Sequence, residues 1–203
     1  GKVEAVLTPN EQIPGEIYQY HERMKTYIVE VKRTNKGPQI MVSRTHPGLL
    51  KRLFELEVPE IHDGVVEIKS VAREPGMRSK ISVYTADSNV DPVGACVGHK
   101  GMRVQTIVNE LRGEKIDIVK YSEDPAQYVA NALSPAKVVK TNVNEADKIC
   151  RVVVPDYQLS LAIGKEGQNA RLAAKLTGWK IDIKSETQAA EEAAVEPAPV
   201  EEA

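Results

Sequence analysis

Two short segments of this sequence have the composition of a phosphate-binding turn. They are GHKG at residues 98–101, called here the first tetrad, and GKEG at residues 164–167, called the second tetrad. Glycine at both ends of a turn permits positive φ angles and lets another backbone approach without a Cβ in the way. Where a helix begins after such a turn, its first amide groups favour an anion. Both tetrads are therefore predicted to bind phosphate groups.

Polar side chains in and beside the tetrads complete the predicted binding set. Basic residues accompany both turns, whereas Glu166 weakens the positive field at the second one, so we expect the first tetrad to attract phosphate more strongly. Glu166 could equally accept a hydrogen bond from a base or pair with a neighbouring lysine. The predicted binding residues are Gly98, His99, Lys100, Gly101, Arg103, Gly164, Lys165, Glu166, Gly167, Asn169 and Arg171.

A single GxxG pattern has little weight, because 13 glycines in 203 residues produce roughly 0.8 such patterns by chance. The surroundings of the two tetrads are repeated, however. ACVG ends at Gly98 as LAIG ends at Gly164, and KIDI occurs at residues 115–118 and again at residues 180–183. The chain therefore contains an internal repeat of about 65 residues, which is long enough to be a domain.

Apolar periodicity and turn residues predict the elements that position the tetrads. Alternation at residues 26–32 and a second run at 39–43, across the turn 35–38, predict a β-hairpin. Leucines at helical spacing after Pro47 predict a helix that Pro59 ends. The repeat follows. Its first copy has predicted strands at 65–73, 80–85 and 115–120 and predicted helices at 92–97 and from 102. Its second copy has predicted helices at 125–133, 157–163 and 168–177 and predicted strands at 136–143, 149–154 and 180–184.

This arrangement resembles the KH domain, whose GxxG loop clamps about four nucleotides of single-stranded RNA or DNA. The order of elements, with two strands before the helix–GxxG–helix and one after it, is similar to the bacterial type of KH fold. The resemblance covers roughly residues 60 to 185. It implies a phosphate-binding role for the tetrads, while apolar residues of the short helix and of the last strand form the floor of a groove for bases.

The N-terminal hairpin resembles the final strands of the OB-type barrel that is repeated in the largest small-subunit ribosomal protein, a fold that also binds nucleic acid. The expected fold class is therefore α+β, with a partial OB-type β-barrel, two tandem bacterial-type KH domains and a disordered acidic tail. The expected divisions are 1–46 for the C-terminal part of the barrel, 47–60 for a linking helix, 61–121 and 122–185 for the KH domains, and 186–203 for the tail.

A barrel followed by two KH domains, with VSRTHP at residues 42–47, resembles the NusA family of bacterial transcription elongation and termination factors. The resemblance implies a non-enzymatic protein that binds RNA polymerase and the nascent transcript and modulates pausing, termination and antitermination. The sequence departs from the family in lacking the polymerase-binding N-terminal domain and the first barrel strands. We therefore expect an excerpt of a longer protein, with polymerase contact made by the full-length chain.

The charge distribution agrees with an RNA-binding role. The formal net charge is −2, but residues 185–203 hold six of the 29 acidic residues and no Lys or Arg, so residues 1–184 have a net charge of +4. The tail is rich in Glu, Ala and Pro and is predicted to be disordered. It is either a solvated linker or a segment that repels stray RNA or occupies the basic groove.

Cysteine usage and hydropathy limit the remaining classes. Cys96 and Cys150 have no Cys or His neighbours at metal-ligand spacing, so we expect no zinc site, disulfide framework, metal or cofactor. No apolar run reaches the roughly 18 residues that span a bilayer. A cytoplasmic monomer without membrane contact is expected.

Several individual residues allow two interpretations. Cys96 beside His99 suggests a thiol or metal site, or else a packed cysteine next to a solvent-facing histidine. Tyr27 either stacks on a base or packs within its strand, and Trp179 is either a packing anchor or a stacking platform. The basic residues Arg23, Lys25, Lys32 and Arg33 either bind RNA or form a solvated face.

The sequence features bear on three function classes. The favoured one is single-stranded RNA binding along one extended path, with linkage of the modules raising their joint affinity. A protein-interaction scaffold, or an accessory module of another RNA-processing protein, is the first alternative. An enzyme of nucleotide chemistry is disfavoured, because neither tetrad has the form GxxxxGK[ST] and no acidic cluster at metal spacing follows.

Overall fold

Residues 3–195 are described by a computed structural model, in which the chain divides into two units, Gly1–Lys120 and Tyr121–Ala203. The first unit begins with a three-stranded sheet of β1 (Ala5–Val6), β2 (Tyr27–Thr34) and β3 (Gly37–Ser43), in the order β1-β3-β2. The predicted hairpin is confirmed, since β2 and β3 pair antiparallel, while β1 runs parallel to β3. These described strands do not close into a barrel.

The side-chain alternation of β2 is interrupted by a bulge. Ile28 pairs with Val42 and Glu30 pairs with Met41, so that Val29 has no partner of its own. One extra residue in a strand exchanges the faces for every residue beyond it. The regular alternation predicted for residues 26–32 is therefore wrong after residue 28.

The rest of the first unit has the element order α-α-β-β-α-α-β, in which the second helix, Pro59–His62, is a single turn. Its sheet has the order β4-β5-β6, with β4 and β5 antiparallel and β5 and β6 parallel. The tetrad forms a 3₁₀ turn, His99–Gly101, between the short helix and the long helix. The elements are α1 (Pro47–Glu57), α2 (Pro59–His62), β4 (Glu67–Glu74), β5 (Arg78–Tyr84), α3 (Pro92–Val97), α4 (Met102–Glu110) and β6 (Lys115–Lys120).

Helix α1 belongs to the core of this unit. Leu50 and Phe54 are fully buried in one cluster with Ile81 of β5 and Ile107 of α4. Burying an apolar side chain of this size stabilises a fold by about 1.5–3 kcal/mol. The helix that was expected to be a link therefore packs as the first helix of the module.

The second unit repeats this order without the single-turn helix. Its sheet has the order β7-β8-β9, again with one antiparallel and one parallel pair. Strand β7 starts at Lys140 and not at the predicted Ala136, because the chain turns there and the amide of Ala136 donates to the carbonyl of Leu133 at 3.1 Å. The elements are α5 (Pro125–Ala132), β7 (Lys140–Asn144), β8 (Ile149–Val154), α6 (Leu159–Ile163), α7 (Gln168–Thr177) and β9 (Lys180–Ser185).

A helix, α8 (Glu186–Val195), follows β9 directly, so the disorder predicted from residue 186 is wrong for residues 186–195. A capping box begins it: the amide of Ser185 donates to Gln188 Oε1 at 3.0 Å, and the amide of Gln188 donates to Ser185 Oγ at 3.2 Å. Asp156 also accepts hydrogen bonds from the hydroxyl and the amide of Thr187, which lower the pKa of its carboxyl. The remainder of the predicted tail, residues 196–203, lies outside the described residues.

Two buried charge clusters stabilise the first unit. Arg44 is fully buried, and its guanidinium donates to Glu16 Oε1 at 2.9 Å, to the carbonyl of Lys25 at 2.8 Å and to the carbonyl of Glu110 at 3.0 Å. This side chain therefore connects residues 16–25 to helix α4.

No helix among residues 3–195 has the length and apolar character needed to cross a bilayer.

The second cluster surrounds Glu114, whose side chain is fully buried together with that of Arg73. Its carboxylate accepts from Arg73 Nε at 3.0 Å, from Ser79 Oγ at 2.6 Å and from the amide of Gly76 at 2.7 Å. Arg73 also donates to the carbonyl of His46 at 3.0 Å. All polar partners are thus satisfied, which is the condition for burying an ion pair without a large penalty.

Replacing Glu114 by glutamine should destabilise the first unit by about 3–5 kcal/mol, because it leaves the Arg73 guanidinium buried without a counter-ion and turns an amide NH₂ toward donors. Urea unfolding of the variant measures this loss. Glu55→Gln is the matched control, since the Arg52–Glu55 pair is also short, at 2.6 Å, but its Arg52 side chain is exposed and its Glu55 side chain is only partly buried. It should cost less than about 1 kcal/mol. Equal losses for both variants would contradict the role assigned to burial.

Candidate nucleic-acid interface

The two tetrads adopt the same backbone conformation. In each, the amide of the last glycine donates to the carbonyl of the first at 3.1 Å, and three of the four residues have positive φ. Because two unrelated pairs of middle residues give the same turn, the glycines determine its shape. The φ angles are 77°, 52° and 74° at Gly98, Lys100 and Gly101, and 79°, 54° and 72° at Gly164, Glu166 and Gly167.

The first glycine of each tetrad is needed for close packing. A Cβ on Gly98 would lie 2.6 Å from Cγ of Arg103, and a Cβ on Gly164 would lie 2.7 Å from the backbone nitrogen of Asn169. At Gly164 the contact is with backbone, which cannot move away, whereas at Gly98 it is with the Arg103 side chain, which is held by its hydrogen bonds to Glu60 and Ala95. The first glycine therefore allows the short helix to approach the first turn of the long helix.

The last glycine of each tetrad has a different environment. No atom lies within 4 Å of the position that a Cβ would take on Gly101 or Gly167. The space beside these residues is open, so glycine is required there by its positive φ and not by crowding. An approaching ligand backbone can reach the turn at this point.

The helices that follow the tetrads begin without a side-chain cap. Neither Gly101 nor Gly167 provides one for α4 or α7. By contrast, α1, α3 and α5 each begin with a side chain that accepts from the second following amide: His46 at 2.9 Å, Asp91 at 3.1 Å and Asp124 at 3.1 Å. The amides of Met102 and Gln168 donate to the carbonyls of His99 and Lys165. No side chain covers the starts of α4 and α7, however, so the positive ends of their helix dipoles are available to an external anion.

The middle residues of both tetrads face solvent. His99, Lys100, Lys165 and Glu166 are exposed, and their side chains make no hydrogen bond or ion pair with any residue of the described part of the chain. The structure thus brings these four predicted residues to the two open turns.

Two predicted binding residues are instead used inside the fold. Arg103 Nη1 donates to Glu60 Oε2 at 2.9 Å and to the carbonyl of Ala95 at 2.6 Å. Asn169 is only 3% exposed, and its Nδ2 donates to the carbonyls of Leu133 at 3.0 Å and Ala162 at 2.9 Å. Each side chain connects the long helix to the short helix and to an earlier helix. They position the tetrads, and the Asn169 side chain is not exposed to a ligand.

Arg171 supports the second tetrad from outside. Its Nη1 donates to the carbonyl of Glu166 at 3.1 Å, and the residue is exposed. The guanidinium therefore fixes the middle of the turn and places positive charge next to Glu166, which partly offsets the carboxylate there.

Apolar surface lies beside the tetrads on the short helices. Leu161 and Ile163 of α6 are 46% and 36% exposed, although both are apolar. On α3, Val93, Ala95 and Val97 are half-buried. Both short helices contact the last strand of their sheet, as the expected groove floor requires.

The structure decides between the interpretations of Cys96 and Tyr27. Cys96 is fully buried, and burial raises the pKa of its thiol to about 12, so it is not a reactive thiolate. Tyr27 stacks on the His46 ring with centroids 4.5 Å apart, which makes it a packing residue. Trp179, which comes directly before β9, is half-buried, and the centroid of its ring lies 5.7 Å from Lys148 Nζ.

The basic residues of the N-terminal region, Arg23, Lys25, Lys32 and Arg33, are exposed. Within residues 3–195 no group of three or more His, Cys, Asp or Glu side chains is arranged to hold a metal ion. Sequence reasoning missed the supporting partners Glu60 and Leu133, because no local pattern links them to residues more than 35 positions away.

The two modules match two known domain families. Residues 44–121 match the NusA-like first KH domain, and residues 125–191 match the NusA-like second KH domain. The predicted repeat and its KH character are confirmed by these matches.

Relatives named transcription termination/antitermination protein NusA match most of the chain. The protein of Halalkalibacterium halodurans is 74% identical over 94% of this chain and 50% of its own length. That of Bacillus subtilis is 72% identical over 94% of this chain and 52% of its own, and that of Thermus thermophilus is 51% identical over 89% and 47%. This chain therefore spans about half the length of these relatives, and it belongs to the NusA family.

Proposed function

We propose that this chain is the RNA-binding segment of a transcription termination and antitermination factor, and that each KH unit holds the backbone of single-stranded RNA at its tetrad. One observation carries the proposal: both tetrads have the same open turn, with its last glycine beside empty space, followed by a helix that lacks a side-chain cap. Such a turn accepts a phosphate through main-chain amides and requires no particular base.

The exposed middle residues supply the attraction. Lys100 and Lys165 are free to approach phosphate oxygens, and His99 adds a donor at the first tetrad. Glu166 opposes phosphate and is available to accept from a base edge, while Arg171 supports the turn. Gly101 and Gly167 admit the ligand backbone, whereas Arg103 and Asn169 hold the helix pairs in place.

The apolar side chains of the short helices complete each site. Leu161 and Ile163 present apolar surface next to the second tetrad, where the flat faces of unpaired bases can be covered. A duplex hides those faces by stacking and pairing. The arrangement therefore favours single strands.

The module boundaries follow from the packing. We propose that the first KH unit extends beyond the expected 61–121 to include the helix at 47–60, and that the second unit covers 122–185. The N-terminal residues 1–46 are proposed to form part of an OB-type barrel. The apolar residues Ile28 and Val31 of β2 support this proposal, because both are 58% exposed, as expected for a sheet that further strands would cover.

The names of the relatives support the wider role. They describe termination and antitermination of transcription, so the full-length protein is proposed to act with RNA polymerase on the nascent transcript, without catalysis, as a cytoplasmic monomer. Two backbone-binding sites on one chain raise the effective concentration at the second site once the first is occupied.

Fluorescence anisotropy with short single-stranded RNAs and with the same sequences as duplexes tests the proposal. Single strands should bind more tightly, and their affinity should fall steeply with salt, with a log–log slope of about −0.7 for each phosphate contact. Preference for the duplex would contradict the groove. Binding that is insensitive to salt, or binding only to protein partners, would instead favour an interaction scaffold.

Charge reversal at the turns should weaken binding without unfolding the chain. His99→Asp with Lys100→Asp, or Lys165→Asp with Glu166→Asp, should reduce RNA affinity about tenfold or more, since each adds repulsion where phosphate is held. The matched control is Lys51→Asp with Arg52→Asp on the exposed face of α1, which changes the net charge by at least as much. Equal losses in all three variants, or none in either tetrad variant, would contradict binding at the turns.

A further inference from the structure

The sheet of the second unit has two different faces. Cys150, Val152 and Val154 of β8 are buried on the side of the sheet where α5 contacts β8 and where α6 and α7 contact β9. Because side chains alternate along a strand, Ile149, Arg151 and Val153 point to the opposite side. This side is called here the open face of the second sheet.

The strand register aligns charged residues in rows across this face. Lys140 pairs with Val153, which pairs with Lys184, and Asn142 pairs with Arg151, which pairs with Asp182. Neighbouring rows lie about 6.6 Å apart along the strands. The open face contains four basic residues and one acidic residue: Lys140, Arg151, Lys180, Lys184 and Asp182.

The acidic helix α8 lies against this face. A cleft of about 860 Å³ lies between them. Its polar lining includes Asn142, Arg151, Asp182 and Lys184 on the sheet and Glu191 and Glu192 on the helix, and apolar side chains of both elements line the rest. Lys184 Nζ is paired with the Glu192 carboxylate, and this hydrogen bond raises the pKa of the lysine. The helix thus supplies negative charge to a positively charged surface.

Helix α8 is held mainly at its first turn. It has no buried residue, and apart from the Lys184–Glu192 ion pair its polar anchors are the capping box of Ser185 and Gln188 and the hydrogen bonds from Thr187 to Asp156. An element with so little buried apolar surface opens at low free-energy cost. The remaining turns can leave the sheet while the anchors stay in place.

We propose that the open face of the second sheet is a second binding surface for the RNA backbone, and that helix α8 covers it as an acidic substitute until RNA displaces it. The cations are spaced across the face with the half-buried Ile149 and Val153 between them, and this density of charge suits a phosphate chain better than a protein interface, whose core is depleted of charged residues. The surface goes beyond the proposed function, because the second tetrad joins helices that pack on the other side of the sheet.

Two single substitutions that each remove one negative charge, made in the whole chain, test the proposal. Glu192→Gln breaks the contact with Lys184 and should tighten binding of a fluorescent single-stranded oligouridine about two- to fivefold at low salt, with a steeper salt dependence. Glu186→Gln lies on the same helix but does not line the cleft, and it should change the affinity much less. Equal gains in both variants, or no gain in Glu192→Gln, would overturn the proposal.

A second pair of variants assigns the gain to the sheet. Lys140→Gln with Arg151→Gln, both at exposed positions, should abolish the gain produced by Glu192→Gln. A gain that survives this double change reflects general electrostatics and would overturn the proposal. The gain should persist when both tetrads have their charges reversed, so that failure at the turns and failure at the open face are measured separately.

Discussion

The close approach of each short helix to the helix that follows it is the constraint on which the binding site depends. Gly164 comes so near to the backbone of Asn169 that a methyl group would lie 2.7 Å from the amide nitrogen. To reverse direction in this space, the chain passes through positive φ at three of four residues. That path places the last glycine beside open space and leaves the next helix without a side-chain cap. A fold that needs glycine for packing thereby also produces a turn suited to an external phosphate.

The two copies keep this backbone but stabilise it differently. In the first unit Arg103 connects the helices through an ion pair with Glu60, whereas in the second unit the buried amide of Asn169 does so through two carbonyls. The first tetrad contains no acidic residue, while Glu166 in the second is accompanied by Arg171. Backbone geometry is therefore common to both sites, and the side chains give each site its own electrostatic field.

Local patterns were sufficient to predict most of the elements that hold the turns. The short helix at 92–97 and the strands at 115–120 and 149–154 have the predicted bounds, because proline, an aspartate cap or apolar alternation marks their ends. Helix α8 was missed since acidic composition was given more weight than the capping box of Ser185 and Gln188. The burial of Asn169 and the Arg44 cluster depend on partners 19 to 66 residues away, which no local pattern specifies. The bulge at Val29 likewise follows from pairing with β3.

Backbone amide chemical shifts during titration with a short single-stranded RNA would measure the central claim directly, since main-chain groups are proposed to receive the phosphates. The largest changes should fall on the amides of residues 99–103 and 165–169, at both tetrads and the first turns of α4 and α7. Saturation of binding with these amides unshifted, and with changes confined to other surfaces, would contradict phosphate binding at the two turns.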